Sequence, residues 1–376
     1  MKRFPSRPLP DFKSLYRALF NHEKPDNDLV FFDLGRDALL FGVEVLGIKP
    51  GGKILIPAYM CNSTIEPLTN AGYKIIFFDV KDDLNFDLNI IESLINNSDI
   101  DAILSVHYFG FPTNILDLFC LCKKYNVKVI EDCAHSFLSK NHGKSVGLIG
   151  DVAIFSMRKT LGVPDGGALK INVGSSKTYP IVKNKMQWFT EVLYLGSRVL
   201  ESIICFVGFP NLYSNRIDKV KKLIRDTLPN RNNNLSQVNQ VQPVKSSFQL
   251  KAYLNNIDYK DHIIERRRQN YNSLVLEAKK IGLKILYPQL PDGCIPQFFI
   301  LVDKKKQLVS WLREHGVGAV TWPGPELSQE IANRQVDFPV TNSLNEHLAM
   351  LPIHQSLNDN DMASIISLLK KWSATQ

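Results

Sequence analysis

Between Lys53 and Asn172 the chain alternates short apolar runs with helix-length amphipathic segments, a pattern that few folds accommodate. Runs rich in Ile, Val and Phe at Lys53–Ile56, Lys74–Asp79, Ala102–Val106, Lys128–Ile130, Val152–Phe155 and Ala168–Ile171 read as strands. Segments such as Leu88–Asn96 and Ile115–Tyr125 read as helices between them. Strands that are apolar on both faces and separated by helices predict an α/β layer structure around a mostly parallel sheet. The last two runs leave no room for a crossover helix, so they are expected to pair antiparallel.

Beyond Ile171 the alternation lapses. The amide-rich stretch Asn230–Gln242 reads as an exposed loop or linker. A long helical pattern over Ser246–Lys280 follows, then a strand at Pro296–Val302 and helices at Lys305–His315 and Asn358–Trp372. This predicts a large domain over residues 1–244, including the N-terminal segment and a helical and loop region at 180–242, and a smaller α+β domain over 245–376. A chain of 376 residues, 44% hydrophobic, has enough apolar material for both.

Charge narrows the partners. Lys and Arg number 45 against 37 Asp and Glu, a net +8, but apart from Arg266–Arg268 and Lys304–Lys306 the positives are scattered. No basic face with interleaved aromatics suggests nucleic acid, whereas a mildly basic surface suits anionic small substrates. The six cysteines include no CxxC pair, and Met1–Leu19 carries Lys, Arg and three prolines instead of an apolar leader. A reducing, cytoplasmic setting is expected, with no metal site. Trp188–Phe209 is strongly apolar but interrupted by Glu191, Arg198 and Glu201. It reads as a packed amphipathic helix with no transmembrane span, and peripheral membrane contact is the second reading.

In open parallel sheets, ligands bind beyond the carboxyl ends of the strands, where this chain places "VIEDCAHSF" (Val129–Phe137) and "FSMRKTLGVPDGG" (Phe155–Gly167). Asp132 after a buried run is either a helix N-cap or a ligand contact, and a carboxylate there can hold a pyridinium nitrogen protonated. His135, three residues on, is either a locally satisfied side chain or a contact to the same ring. Lys159 has apolar company in Leu161 and Val163. Burial and the neighbouring Arg158 would both lower its pKa and favour a nucleophilic amine. Gly35-Arg36-Asp37 opens a helical run at Ala38–Leu46 and offers amides and a cation to a phosphate, although Asp37 alone is explained by the helix dipole.

Taken in order, "LGRDALLFGVEVLGIKPGGKILIPAY", "ILSVHYFGFP", "VIEDCAHSF", "GKSVGLIGDVAIFSMRKTLGVPDGG" and "LAMLPIHQSLNDNDMASII" form a collinear set. The set resembles the sugar-nucleotide aminotransferases of the DegT/StrS type, which share the fold type of aspartate aminotransferase (fold type I, a three-layer α/β/α large domain). That resemblance implies pyridoxal 5′-phosphate (PLP) as cofactor, Lys159 as its covalent attachment point and proton shuttle, Asp132 on the pyridine nitrogen, and His135 on the ring hydroxyl. It implies a phosphate held by Ser156 with the backbone of Gly35, Arg36 and Asp37. It further implies transfer of an amino group from glutamate to a nucleotide-linked keto-sugar in a homodimer with shared active sites, for surface polysaccharide or a related glycan.

The chain departs from the family pattern in several places. Only Met157 and Arg158 separate Ser156 from Lys159. Cys61 stands where an aromatic commonly stacks on the ring, leaving Tyr59 as a substitute, and Gln242–Ser246 offers Lys245 but no Asn toward the phosphate. His107, Phe109 and Trp322 are candidates for the substrate side, each equally explicable as packing. A catalytically lapsed relative that binds a nucleotide-sugar or acts as a regulator is the alternative. An NAD enzyme would need G-x-G-x-x-G after the first strand, and the sequence has none there.

Overall fold

Every strand expected between Lys53 and Ile171 forms in a computed structural model of the protein, which describes residues 3–18, 28–173, 179–181, 189, 191–199, 241–302, 305–324 and 327–375. The strands are β1 (Leu29–Phe32), β2 (Lys53–Pro57), β3 (Lys74–Phe78), β4 (Ala102–Val106), β5 (Lys128–Asp132), the hairpin β6 (Lys140–Asn141) and β7 (Lys144–Ser145), β8 (Val152–Ser156), β9 (Gly167–Ile171), β10 (Phe298–Val302) and β11 (Leu348–Pro352). The helices are α1 (Phe12–Ala18), α2 (Gly35–Val45), α3 (Asn62–Asn70), α4 (Leu88–Ser98), α5 (Ile115–Lys124), α6 (Arg158–Leu161), α7 (Phe248–Leu254), α8 (Ile257–Lys280), α9 (Lys305–Glu314), α10 (Gln329–Ala332), α11 (Pro339–His347) and α12 (Asp359–Ser373).

Seven strands join one sheet in the order β1-β9-β8-β5-β4-β2-β3. β2, β3, β4, β5 and β8 run parallel, and β9 is antiparallel to both β8 and β1, as the missing crossover required. Strand alternation sorts the apolar side chains into two layers. Ile54 and Ile56 pack on the α2 and α3 side, whereas Leu55, Ile103 and Val129 pack against α4 and α5. A sheet buried on both faces is the three-layer α/β/α architecture of fold type I.

Where β9 passes the start of α2 the two backbones nearly touch. A Cβ on Gly167 would overlap the carbonyl of Leu34, and main chain cannot yield as a side-chain tip can. Gly167→Ala is therefore expected to cost about 3 kcal/mol and lower Tm by several degrees, read by calorimetry.

The C-terminal part builds on the antiparallel pair β10–β11, with α8 packed on α12. The long helical pattern breaks at Asn255–Asn256, because the Asn256 side chain accepts the Tyr259 amide (3.0 Å) and starts a second helix. The start of the N-terminal segment lies along this part, while Leu15 of α1 packs in a cluster with Ala153, Phe155 and Ala168 of β8 and β9. Phe4 donates to the Gly316 carbonyl (2.8 Å) and accepts from the Gly318 amide (2.7 Å). His354 Nε2 donates to the Pro5 carbonyl (2.9 Å) and the Leu9 amide donates to Ser356 Oγ (2.9 Å). The prolines explain the difference: they leave an extended backbone whose carbonyls seek outside donors.

Of the amphipathic stretch at 188–209, residues 191–199 are helical and residues 200–209 lie outside the described ones, as does most of the amide-rich stretch at 230–242. Among the described residues no helix is long and apolar enough to cross a membrane.

Candidate active site

The carboxyl ends of β4, β5 and β8 open on a cavity of about 190 Å³. Its floor comes from the strand ends, through Val106, Asp132, Ile154 and Ser156. One wall is the start of α2 (Leu34, Gly35, Arg36) and another is the entry to α3 (Met60, Cys61, Ser63, Thr64). Arg158 and Lys159 from α6, His135, Trp322 and Arg7 complete it. The lysine and the aspartate that the sequence singled out thus face one space.

Adjacent acids on β5 part company because successive side chains on a strand point to opposite faces. Glu131 turns inward, accepts the amides of Gly147 (3.0 Å), Ile149 (2.7 Å) and Gly150, and meets His107 Nε2 at 3.0 Å. Burial alone would raise its carboxyl, but these hydrogen bonds outweigh burial and hold it below the usual range. Asp132 turns to the cavity. Its Oδ1 accepts the Ala134 amide (2.9 Å), and among the described residues the carboxylate has no ion pair within 4 Å. Burial raises its pKa, opposed mainly by the charge of Lys159.

The short Ser156–Lys159 spacing is absorbed by a single helical turn. The Met157 amide donates to the Gly166 carbonyl (2.8 Å), α6 begins at once, and Lys159 swings over the cavity. Gln297 Nε2 donates to the Lys159 carbonyl (2.7 Å) and Gln355 Nε2 to that of Thr160 (2.9 Å). Behind them lies the fully buried Arg267, which donates to Gln355 Oε1 (3.1 Å), Gln297 Oε1 (3.2 Å), the Pro296 carbonyl (3.2 Å) and the Thr160 carbonyl (3.4 Å). Burial of the Lys159 amine lowers its pKa. Cys61 and Asp132 oppose this, while Arg7 and Arg158 reinforce it.

At the α2 end, the helical bonds begin with the Asp37 and Ala38 amides, both directed to the Leu34 carbonyl (3.1 and 3.3 Å). The amides of Gly35 and Arg36 precede that ladder, and Gly35 packs so closely on Ser156 that a Cβ there would lie 3.3 Å from the serine Cβ. Amides at a helix start, a hydroxyl and a guanidinium form an anion cup. Asp37 is not part of it, because its amide serves the helix and its carboxylate caps the Leu34 amide (3.1 Å).

The model of the DegT/DnrJ/EryC1/StrS aminotransferase family matches residues 30–180, about 40% of the chain, which hold β2 to β9 and Lys159, Asp132 and His135. Over that region the chain is similar to this family. Across most of its length the chain is 24% identical over 354 residues to the UDP-N-acetyl-3-dehydro-alpha-D-glucosamine 3-aminotransferase of Acidithiobacillus ferrooxidans, covering 90% of this chain and 82% of that one. It is 26% identical over 354 residues to the UDP-4-amino-4,6-dideoxy-N-acetyl-beta-L-altrosamine transaminase of Campylobacter jejuni, covering 89% and 83%. The PLP-form structure of Spr1654 from Streptococcus pneumoniae superposes with a TM-score of 0.69 at 15% identity over 99% of each chain, a likeness of fold.

Similarity to this family implies PLP, and the residues lining the cavity suit it. The Lys159 amine and the Asp132 carboxylate sense each other's charge without meeting, which leaves space between a nucleophile and an anion. The anion cup lies along the same wall. His135 is buried and held neutral by burial and by the nearby lysine charge, so it keeps one N–H to donate. These residue types match an aldehyde carbon, a pyridine nitrogen, a phosphate and a ring oxygen.

Of the other expected contacts, His107, Phe109 and Tyr59 fall elsewhere, whereas Cys61 and Trp322 line the cavity. His107 is fully buried, bonded on one side to Glu131 and on the other to the Thr113 amide (3.1 Å), and it supports β5 from behind. Phe109 does not line the cavity but backs it, with its ring stacked on His135 at 5.3 Å and 16°. Tyr59 is also behind the wall. Its hydroxyl donates to the Trp322 carbonyl (2.6 Å), so the aromatic facing the cavity is Trp322. Cys61 faces the cavity with Ser63 and Thr64. Lys245 is exposed and absent from the lining. Sequence reasoning missed Arg7, whose only local signal is an arginine between prolines, more than 120 residues from the catalytic motifs.

Proposed function

We propose that this protein is a PLP-dependent aminotransferase that moves an amino group from glutamate to the ketone carbon of a nucleotide-linked sugar. The observation that carries this is the convergence of Lys159, Asp132 and the Gly35–Arg36–Ser156 cup on one cavity. Two relatives named for UDP-linked amino sugars, both matched across most of the chain, favour a UDP-sugar acceptor. The product would enter surface polysaccharide or a related glycan, and the protein would act in the cytoplasm as a homodimer with shared active sites.

Bound PLP supplies an electron sink for charge that develops at the carbon losing its proton. Lys159 would hold the cofactor through its uncharged amine and would move the proton at the substrate carbon. Asp132 would hold the ring nitrogen protonated, and the paired charges would recover what burial of the carboxylate costs. Neutral His135 would donate to the ring oxygen, and Ser156 with the Gly35 and Arg36 amides would hold the phosphate. Trp322 and Phe109 keep water from that side.

Purified protein mixed with PLP is expected to show an absorption band in the violet, and borohydride is expected to fix the cofactor on Lys159. Glutamate should then bleach the band, and addition of a UDP-linked keto-sugar should restore it. A band that no amino donor alters would refute amino transfer. A colourless protein that still binds a nucleotide-sugar would identify the lapsed, regulatory relative.

A further inference from the structure

The cavity carries more positive charge than a phosphate cup requires. Arg36 stands at the α2 wall near Ser156, while Arg7 and Arg158 line the space around Lys159. Arg7 reaches it from a strap that is bonded almost residue by residue. Beyond the contacts of Phe4, Pro5 and Leu9 described above, the buried Arg198 donates through Nη2 to the carbonyls of Pro8 (2.7 Å) and Arg7 (3.2 Å). The Pro8 carbonyl rests on Gly162, which ends α6 at φ +70°, and a Cβ at that position would come within 2.9 Å of it. The strap therefore sits on the same helical turn that carries Lys159. Its backbone is fixed while the Arg7 side chain remains exposed, on a cavity wall.

We propose that Arg7 is the anchor for the α-carboxylate of the amino-acid donor. This rests on the aminotransferase reading above. In an amino acid the carboxylate is one bond from the carbon that must come under the Lys159 amine, so its partner must stand beside that lysine. In a nucleotide-sugar the diphosphate is separated from the ketone by the sugar ring and needs a cation farther out. Arg7 meets the first requirement, since its charge is felt at the Lys159 amine and pushes that amine's pKa down. Neutralising Arg7 with a carboxylate removes this push just when Lys159 must accept a proton. A guanidinium is the side chain that grips a carboxylate with two parallel hydrogen bonds.

The test uses the holoprotein and glutarate, a dicarboxylate with no amine to transfer, by titration calorimetry. Arg7→Gln is expected to weaken glutarate binding roughly 30-fold, the scale of a charge-assisted hydrogen-bond pair, and Arg7→Lys to recover part of the loss. The KM for glutamate should rise in parallel, while the KM for the keto-sugar and the retention of PLP stay within about twofold of wild type. Should Arg7→Gln melt early, Arg7→Lys, which keeps the charge but not the fork, carries the comparison. Unchanged glutarate affinity in Arg7→Gln overturns the assignment, and so does loss of PLP in place of loss of glutarate. A wild-type band that ignores glutamate would instead sink the function proposed above, a separate failure.

Discussion

Lys159→Ala is expected to abolish borohydride-stable incorporation of PLP and to reduce turnover by on the order of 10⁴-fold or more, because it removes both the covalent attachment and the proton carrier. The fold should survive. The lysine side chain is only half-buried, and what secures the turn is its backbone, held at the Lys159 carbonyl by Gln297 and at the Thr160 carbonyl by Gln355 and Arg267. A melting curve close to wild type with no violet band is the expected signature. A covalent adduct that persists in Lys159→Ala would place the attachment elsewhere and end this assignment. The lowered pKa of the amine adds a sign: the uncharged fraction near neutral pH exceeds that of a free lysine, so the rate of PLP attachment should reach its plateau below pH 10.5, the ordinary lysine value.

The second large effect is at Asp132. Asp132→Asn keeps the shape and can still accept the Ala134 amide, but it cannot hold a cationic ring nitrogen. Activity should fall on the order of 10³-fold, the scale of losing one preorganised electrostatic contact. PLP should still attach, because Lys159 and the phosphate cup are untouched. The sign on stability is opposite. Burial raises the Asp132 pKa above its ordinary 3.8, so the ionised carboxylate weakens the cofactor-free fold above that pH. Without cofactor, Asp132→Asn should therefore melt at or above wild type near neutral pH. Full activity in this variant would refute the role.

Much of this arrangement was legible in the sequence because it obeys local rules. Strands buried on both faces announce themselves as apolar runs, and the acid and lysine after β5 and β8 sit where parallel sheets leave ligand space. β1 escaped notice because four residues, Leu29–Phe32, merge with the apolar start of α2, and only pairing with β9 defines them. β11 was hidden similarly, since "LAMLP" between two helical stretches has no alternation of its own and forms against β10. His107 misled because a strand-end histidine looks like a ligand contact, yet Glu131 claims it from the neighbouring strand, a pairing 24 residues apart. Tyr59 misled for the same reason: which aromatic faces the cavity depends on packing that no local spacing records.

The grip of Arg267 on the catalytic turn bears on redesign. Its four acceptors are all uncharged and come from three separate stretches of chain, at Thr160, Pro296–Gln297 and Gln355, so the guanidinium acts as a keystone for segments far apart in sequence. A single ammonium could not span them, and an apolar substitute would strand several carbonyls away from water. The lysine turn is consequently not a portable module: transplanted to another scaffold as strand, turn and glycines, it would arrive without the interior cation that sets its curvature.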